Sequence, residues 1–136
     1  MTSAAHRRFR VLPERFAIHR LPPMADVPRG VHEAAMYSVM RTAAALTVVA
    51  PEDVPVDAMA TQDGWRALGL VGPLDFALTG VLADLTRVLA DAEVSVFALS
   101  TYDTDWVLLR AEALLRAVTA LEAAGYVDDG PPESAE

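Results

Sequence analysis

The 136-residue chain contains no cysteine and no lysine; all 11 of its basic residues are arginine. Without thiols there can be no disulfide, no thiolate nucleophile and no thiolate zinc site. Without lysine there is no Schiff-base chemistry. Positive charge is scarce overall: 11 Arg stand against 19 Asp and Glu, a formal net charge of −8. Such a chain repels phosphate backbones, so no nucleic acid is expected as a partner. The basic residues cluster only at His6-Arg7-Arg8-Phe9-Arg10, which reads equally as a solvated arm. His6, His19 and His32 lack metal-ligand spacing, so no metal is expected. No Gly-x-Gly-x-x-Gly, Walker lysine motif or Gly-x-Ser-x-Gly elbow occurs, so neither a cofactor nor enzymatic activity is expected. No apolar run approaches the ~18–20 residues that span a bilayer. The start lacks a signal peptide's apolar stretch. A soluble, cytoplasmic protein with no membrane partner is the expectation.

What the chain does have is apolar surface: 53% of its residues are hydrophobic, enough for one compact domain or two small ones sharing a core. The second half is the more legible. Trp65–Val71 alternates as a strand and Gly72-Pro73 stops it. Leu78, Val81, Leu82, Leu85, Val88, Leu89 and Ala92 recur at helical spacing, with Thr79 or Asp75 as a cap. Val94–Ser100 is rich in strand formers and carries apolar groups on both faces, which predicts that a neighbouring domain or subunit covers the second face. Thr101-Tyr102-Asp103-Thr104 is turn chemistry, and Asp105–Leu109 returns as the second strand of a hairpin. A last helix is expected over Ala111–Ala124 with Leu114, Leu115, Val118 and Leu121 as its stripe, capped by Gly125. Tyr126-Val127 forms a short edge strand.

The order from Trp65 is thus β-α-β-β-α-β, the split βαβ or ferredoxin-like pattern. The first half reads as a degraded copy. Arg15–Pro23 resembles Trp65–Pro73. Ser38–Thr42, an Ala turn and Leu46–Ala50 resemble the later hairpin, with Thr42 falling on Thr101 and Val48 on Val107 at a common offset of 59. Little is left of the helices between: a turn or two within Val27–Ala35, interrupted by Pro28 and Gly30, and a shortened second helix around Pro51–Met59. A repeated unit implies that the copies bury a shared surface.

The residues Gly72–Leu82, with the helix start Leu78-Thr79-Gly80-Val81-Leu82, and Phe97–Leu108, with the hairpin Ser100-Thr101-Tyr102-Asp103-Thr104-Asp105, together resemble the ACT domain family. The likeness is closest to its small tandem-ACT branch, which includes the cytosolic arginine sensors, and extends more weakly over Arg15–Asp63. The resemblance implies two ferredoxin-like ACT subdomains packed side by side, the first with shortened helices. Their expected bounds are 8–63, a degenerate N-terminal copy, and 64–127, with a disordered acidic tail over 128–136. It also implies a non-catalytic regulatory protein that binds a small ligand, an amino acid, at the interface of the two subdomains, and that passes occupancy to a protein partner. Carried over by position, the ligand residues are Thr79, Gly80 and Val81 from the loop and helix start, and Thr101, Tyr102 and Asp105 from the hairpin. Arginine-binding members are acidic two positions before the helix-start glycine; Leu78 stands here, which speaks against arginine.

A zwitterion needs donors for its carboxylate and an acceptor for its ammonium. Thr79-Gly80-Val81 opens a helix, where unpaired N–H groups and the positive end of the dipole favour an anion. Gly80 either admits the ligand close to the main chain or only lets helix and sheet pack closely. Asp105, beside Trp106-Val107-Leu108-Leu109, would pair an ammonium or bond its own backbone; Asp103, mid-turn, fits the latter role. Trp65 and Trp106 read as core or interface anchors. The competing reading is a ligand-free interaction module, a homodimer formed through the two-faced strand, and a small enzyme of unrecognised type is a third.

Overall fold

The structure, a computed structural model, describes residues 7–72 and 80–130. Its elements are β1 (Arg8–Leu21), a 3-10 turn (Arg29–Glu33), β2 (Ser38–Arg41), β3 (Leu46–Pro51), β4 (Ala60–Leu70), α1 (Val81–Asp91), β5 (Val96–Ser100), β6 (Asp105–Arg110), a second 3-10 turn (Ala111–Ala113), α2 (Leu114–Ala123) and β7 (Val127–Asp128). The fold is α+β, and from β4 onward it follows the expected β-α-β-β-α-β order. Leu78, Thr79 and Asp75, expected at the start of the first helix, lie outside the described residues. Among those described, no helix is long and apolar enough to cross a membrane.

Two compact units divide the chain: Glu14–Trp65 forms one, and the stretch through Pro13 joins the chain from Arg66 onward in the other. In this second unit the strands are ordered β7-β1-β4-β6-β5. One face of the sheet presents Phe9, Leu68, Leu70, Val107 and Leu109 to Val81, Leu85 and Leu89 of α1 and to Ala117 and Leu121 of α2. The spacing of the buried α1 residues, every fourth position, is the apolar stripe that the sequence predicts. In α2 the stripe is Leu114, Ala117, Val118 and Leu121, whereas Leu115 is 78% exposed. At 100° per residue two adjacent leucines cannot both face the core, and Leu114 is the one that does.

The N-terminal basic cluster is not a solvated arm. Arg8-Phe9-Arg10-Val11 alternates as a strand should, and Phe9 is fully buried in the core of the second unit while Val11 packs against it. Residues 8–13, expected in the first subdomain, therefore lie in the unit that contains Arg66 onward. Nor do the first residues of the expected acidic tail stand loose. Arg8 and Phe9 pair in parallel with Val127 and Asp128. The Asp129 N–H donates to the Phe9 carbonyl at 2.8 Å, and Arg8 donates to Asp129 Oδ1 at 2.7 Å. Arg7 is also engaged: it donates to the Ala124 carbonyl and to Asp84, and its guanidinium lies 5.5 Å from the centre of the Tyr126 ring.

β5 begins at Val96 and stands at the end of the strand order. Its register against β6, Phe97 opposite Leu108 and Leu99 opposite Trp106, puts Phe97 and Leu99 on the face away from the helices, where both are half-buried.

The unit Glu14–Trp65 orders its strands β2-β3-β1-β4. Its core is Leu21, Val31, Leu46, Val48 and Ala50. The first helix of the repeat has shrunk to the 3-10 turn at Arg29–Glu33, as expected, with Val31 fully buried. The second is absent, contrary to the expectation over Pro51–Met59. Pro51 and Pro55 deny the backbone donors a helix needs, and the chain runs extended instead, packing Val54, Val56 and Ala58, every second residue, on the core. The hairpins of the two units match residue for residue. Thr42 N–H donates to the Ala45 carbonyl at 2.9 Å, and Thr101 N–H to the Thr104 carbonyl at 2.9 Å. Each threonine hydroxyl accepts from the two N–H groups that follow in its turn. The offset of 59 is thus structural.

His19 sits within this smaller core at 6% exposure, opposite Val48 on β3. Its Nδ1 lies 2.8 Å from Thr61 Oγ1, and its buried Nε2 meets no hydrogen-bond partner among the described residues. Burial lowers its pKa below the usual 6.5. The native state therefore favours the neutral ring, while the unfolded chain takes up a proton as pH falls through about 6.5. Stability from this site is complete above that pH and is lost as pH drops toward the depressed native value. Denaturation curves at about pH 7.5 and 5.5 should show this loss, and His19→Phe, which fills the site without ionising, should flatten it.

Candidate functional site

The residues that position the site are the end of β4 and the β5–β6 hairpin. Thr101 Oγ1 accepts from the N–H groups of Asp103 and Thr104, each at 3.2 Å, and donates to the Thr104 carbonyl at 3.2 Å. That closes the turn. Thr104 Oγ1 donates to the Leu70 carbonyl at 2.9 Å, which ties the turn to the last residue of β4. One residue further, the Val71 N–H donates to the Arg8 carbonyl at 2.9 Å. The loop toward α1 thus leaves the sheet beside the hairpin, at a place held by three backbone-directed bonds.

A cleft of about 480 Å³ opens there, lined by Arg10, Gly69, Leu70, Val71, Gly72, Asp103, Thr104 and Trp106. Trp106 forms its flat wall. The ring lies so close over Gly69 that a Cβ at that position would come within 2.6–2.7 Å of it, so glycine is required for contact rather than for backbone conformation.

The six residues expected to bind a ligand fare differently. Thr79 lies outside the described residues. Gly80 precedes α1 with φ of 80°, and its carbonyl accepts from the Asp84 N–H at 2.9 Å. A Cβ there would meet nothing within 4 Å. Close helix–sheet packing is therefore not why glycine stands at this position; its left-handed backbone is. The Val81 side chain is buried in the core. Thr101 spends its hydroxyl on the turn. Tyr102 stands at the turn's tip, 80% exposed. Asp105 is half-buried and accepts from the Ser100 hydroxyl at 2.7 Å, a cross-strand bond. The acidic residue of the hairpin that lines the cleft is Asp103.

Sequence reasoning missed Arg10. It lies far from the hairpin in the chain, and its signal was the charged–apolar alternation of Arg8–Val11. Among the described residues no group of three or more histidine, aspartate or glutamate side chains could hold a metal ion.

The family model of the ACT domain matches residues 60–123. This segment is an ACT domain. The match begins at β4 and ends with α2, so it takes in the Gly80 helix start and the threonine-closed hairpin and leaves Arg10 outside. No curated protein matches the sequence. Among solved structures, a structural-genomics target from Agrobacterium tumefaciens is 23% identical, covers 95% of this chain and 96% of its own, and superposes with a TM-score of 0.84. Aspartate kinase from Synechocystis is 15% identical with a TM-score of 0.70; the likeness covers 97% of this chain and 29% of the kinase. The ligand-free regulatory subunit of aspartate kinase from Thermus thermophilus is 12% identical, with a TM-score of 0.62 over 85% of this chain and 95% of its own. At these identities the likeness is one of fold.

The two glycines of the ACT domain predict two distinct losses. Gly80→Ala should lower stability by about 1–2 kcal/mol through its left-handed backbone without moving a neighbour. Gly69→Ala should cost about 1–3 kcal/mol through overpacking and shift the tryptophan emission as the Trp106 ring is displaced. Urea melts followed by fluorescence separate the two.

Proposed function

We propose that the chain is a non-catalytic regulatory protein whose ACT domain binds a small ligand, an amino acid, at the end of the sheet where the hairpin meets the loop into α1. The observation that carries this reading is the Thr104–Leu70 bond, which ties the hairpin to the end of β4 beside a cleft lined by residues of both charge signs. The proposed ligand groups are the main-chain N–H groups of Gly80 and Val81 with the Thr79 hydroxyl for the carboxylate, and the hairpin residues Thr101, Tyr102 and Asp105; the hairpin residues that line the cleft itself are their neighbours Asp103, Thr104 and Trp106. Thr101 contributes by shaping the turn, and Asp105 through its carboxylate. Fold likeness to a regulatory subunit of aspartate kinase supports the regulatory reading. Occupancy would act by favouring one arrangement of the chain and so altering its affinity for a protein partner.

The second reading, a ligand-free homodimerisation module, is favoured by the half-buried Phe97 and Leu99 on the end strand. A thermal-shift panel of the twenty amino acids, run beside sedimentation, separates the two. Ligand at a hundredfold its Kd adds about 2.7 kcal/mol of stability. A clear rise in Tm with one amino acid is the expected result; no shift with any at millimolar concentration, together with a dimer, supports the second reading.

A further inference from the structure

We propose that Asp84 is a relay that couples the start of α1 to the first and last strands, so that a change at Gly80 is read out as release of β7 from β1. This goes beyond the ligand reading and does not require it. What carries the inference is an unbroken run of hydrogen bonds. The Asp84 N–H donates to the Gly80 carbonyl at 2.9 Å. The Asp84 carboxylate accepts from Arg7 Nη2 at 3.3 Å and from the Tyr126 hydroxyl. The Arg7 carbonyl in turn accepts from the Val127 N–H at 2.8 Å. Gly80, Asp84, Arg7 and Val127 all lie in one compact unit. Arg7, Tyr126 and β7 stand outside the residues that match the ACT family, so the readout belongs to the ends of this particular chain.

The two ends of the run are built differently. At Asp84 the joint is firm. Tyr126 is buried, and burial together with its bond to Asp84 raises its pKa, so the phenol keeps its proton and stays a donor. The Arg7 guanidinium also donates to the Ala124 carbonyl at the end of α2, where the helix dipole favours a cation. At β7 the joint is weak. The strand is two residues long, both exposed, and it meets β1 through two residue pairs followed by the Asp129 bonds to Phe9 and Arg8. Arg7 Nε is buried with no hydrogen-bond partner among the described residues. Opening would let water reach that donor, which offsets part of what is lost. Short, exposed and incompletely bonded, this joint is of the kind that opens locally at low free energy. A shift of Asp84 with the first turn of α1 withdraws the partner that holds Arg7 in place, and Arg7 is the residue that the Val127 N–H depends on.

Amide hydrogen exchange on the whole chain, with no ligand present, tests the relay. The reporters are the Val127 and Asp129 N–H groups on one side and the Asp84 N–H on the other. The Thr42 and Thr101 N–H groups, each bonded within a hairpin, are the controls against which every rate is read. In Asp84→Asn, exchange at Val127 and Asp129 should rise roughly ten- to a hundredfold over the controls, the effect of one hydrogen-bonded charge. Arg7→Gln should raise exchange at Asp84 to a similar degree, because coupling is reciprocal. Gly80→Ala should raise exchange at Val127 and Asp129, and in an Asp84→Asn background it should add nothing further there. Support of the fold alone would not give that last result. No rise at Val127 and Asp129 in Asp84→Asn, a rise shared equally by the controls, or a Gly80→Ala effect that persists in full in the Asp84→Asn background overturns the proposal. None of these outcomes bears on amino-acid binding, which the thermal-shift panel decides separately.

Discussion

A single threonine hydroxyl closes the β5–β6 turn, and the next threonine carries that turn to the carbonyl of Leu70. The candidate site is shaped by this pair of bonds. The first adds to the Thr101–Thr104 backbone bond in fixing the turn, and the second adds to the β4–β6 pairing in fixing the turn's distance from the end of β4. With both, Asp103 and Thr104 stand beside Gly69–Gly72, and Trp106 is held down on a glycine that has no side chain to lift it. A neutral hydroxyl bond contributes only about 0.5–1.5 kcal/mol to stability. Its importance lies in geometry: two such bonds place a carboxylate and an aromatic wall on the same cleft.

The same turn occurs 59 residues earlier. Thr42 closes Ser38–Pro51 just as Thr101 closes Val96–Arg110. Three alanines, Ala43 to Ala45, stand where the second turn has Tyr102, Asp103 and Thr104. The first copy thus keeps the element that shapes a hairpin and lacks the groups that could meet a polar ligand. Its helices have gone the same way, one reduced to a 3-10 turn and the other replaced by an extended segment whose alternate residues still cover the core. Burial of a half-exposed sheet survives when helices do not, because alternation serves it as well as a helical stripe.

What sequence patterns made legible was local. The strands, the two helices, the repeat and its offset follow from periodicity and turn chemistry within short windows. The misreadings arose where distant parts of the chain meet. Whether Arg8–Arg10 is a solvated arm stays open in the sequence because its partners, Val127 to Asp129, lie more than a hundred residues on. Asp129 looked like tail because its partners were those arginines. Leu115 and Leu114 are indistinguishable by type, and only the angular position on α2 separates them. At the site, Gly80, Thr101 and Asp105 were visible as residue types suited to a ligand. That Thr101 serves its own turn, that Asp105 is met by Ser100, and that Asp103 and Arg10 line the cleft, required the third dimension.

The account makes the hairpin turn and the helix start two sides of one ligand site, and backbone amide spectra report on both directly. In a nitrogen-15 spectrum of the whole chain titrated with an equimolar mixture of the amino acids, it predicts shifts gathered on Gly69–Gly72, Gly80, Val81 and Thr101–Trp106. An unchanged spectrum, or shifts confined to residues away from these three segments, would contradict it.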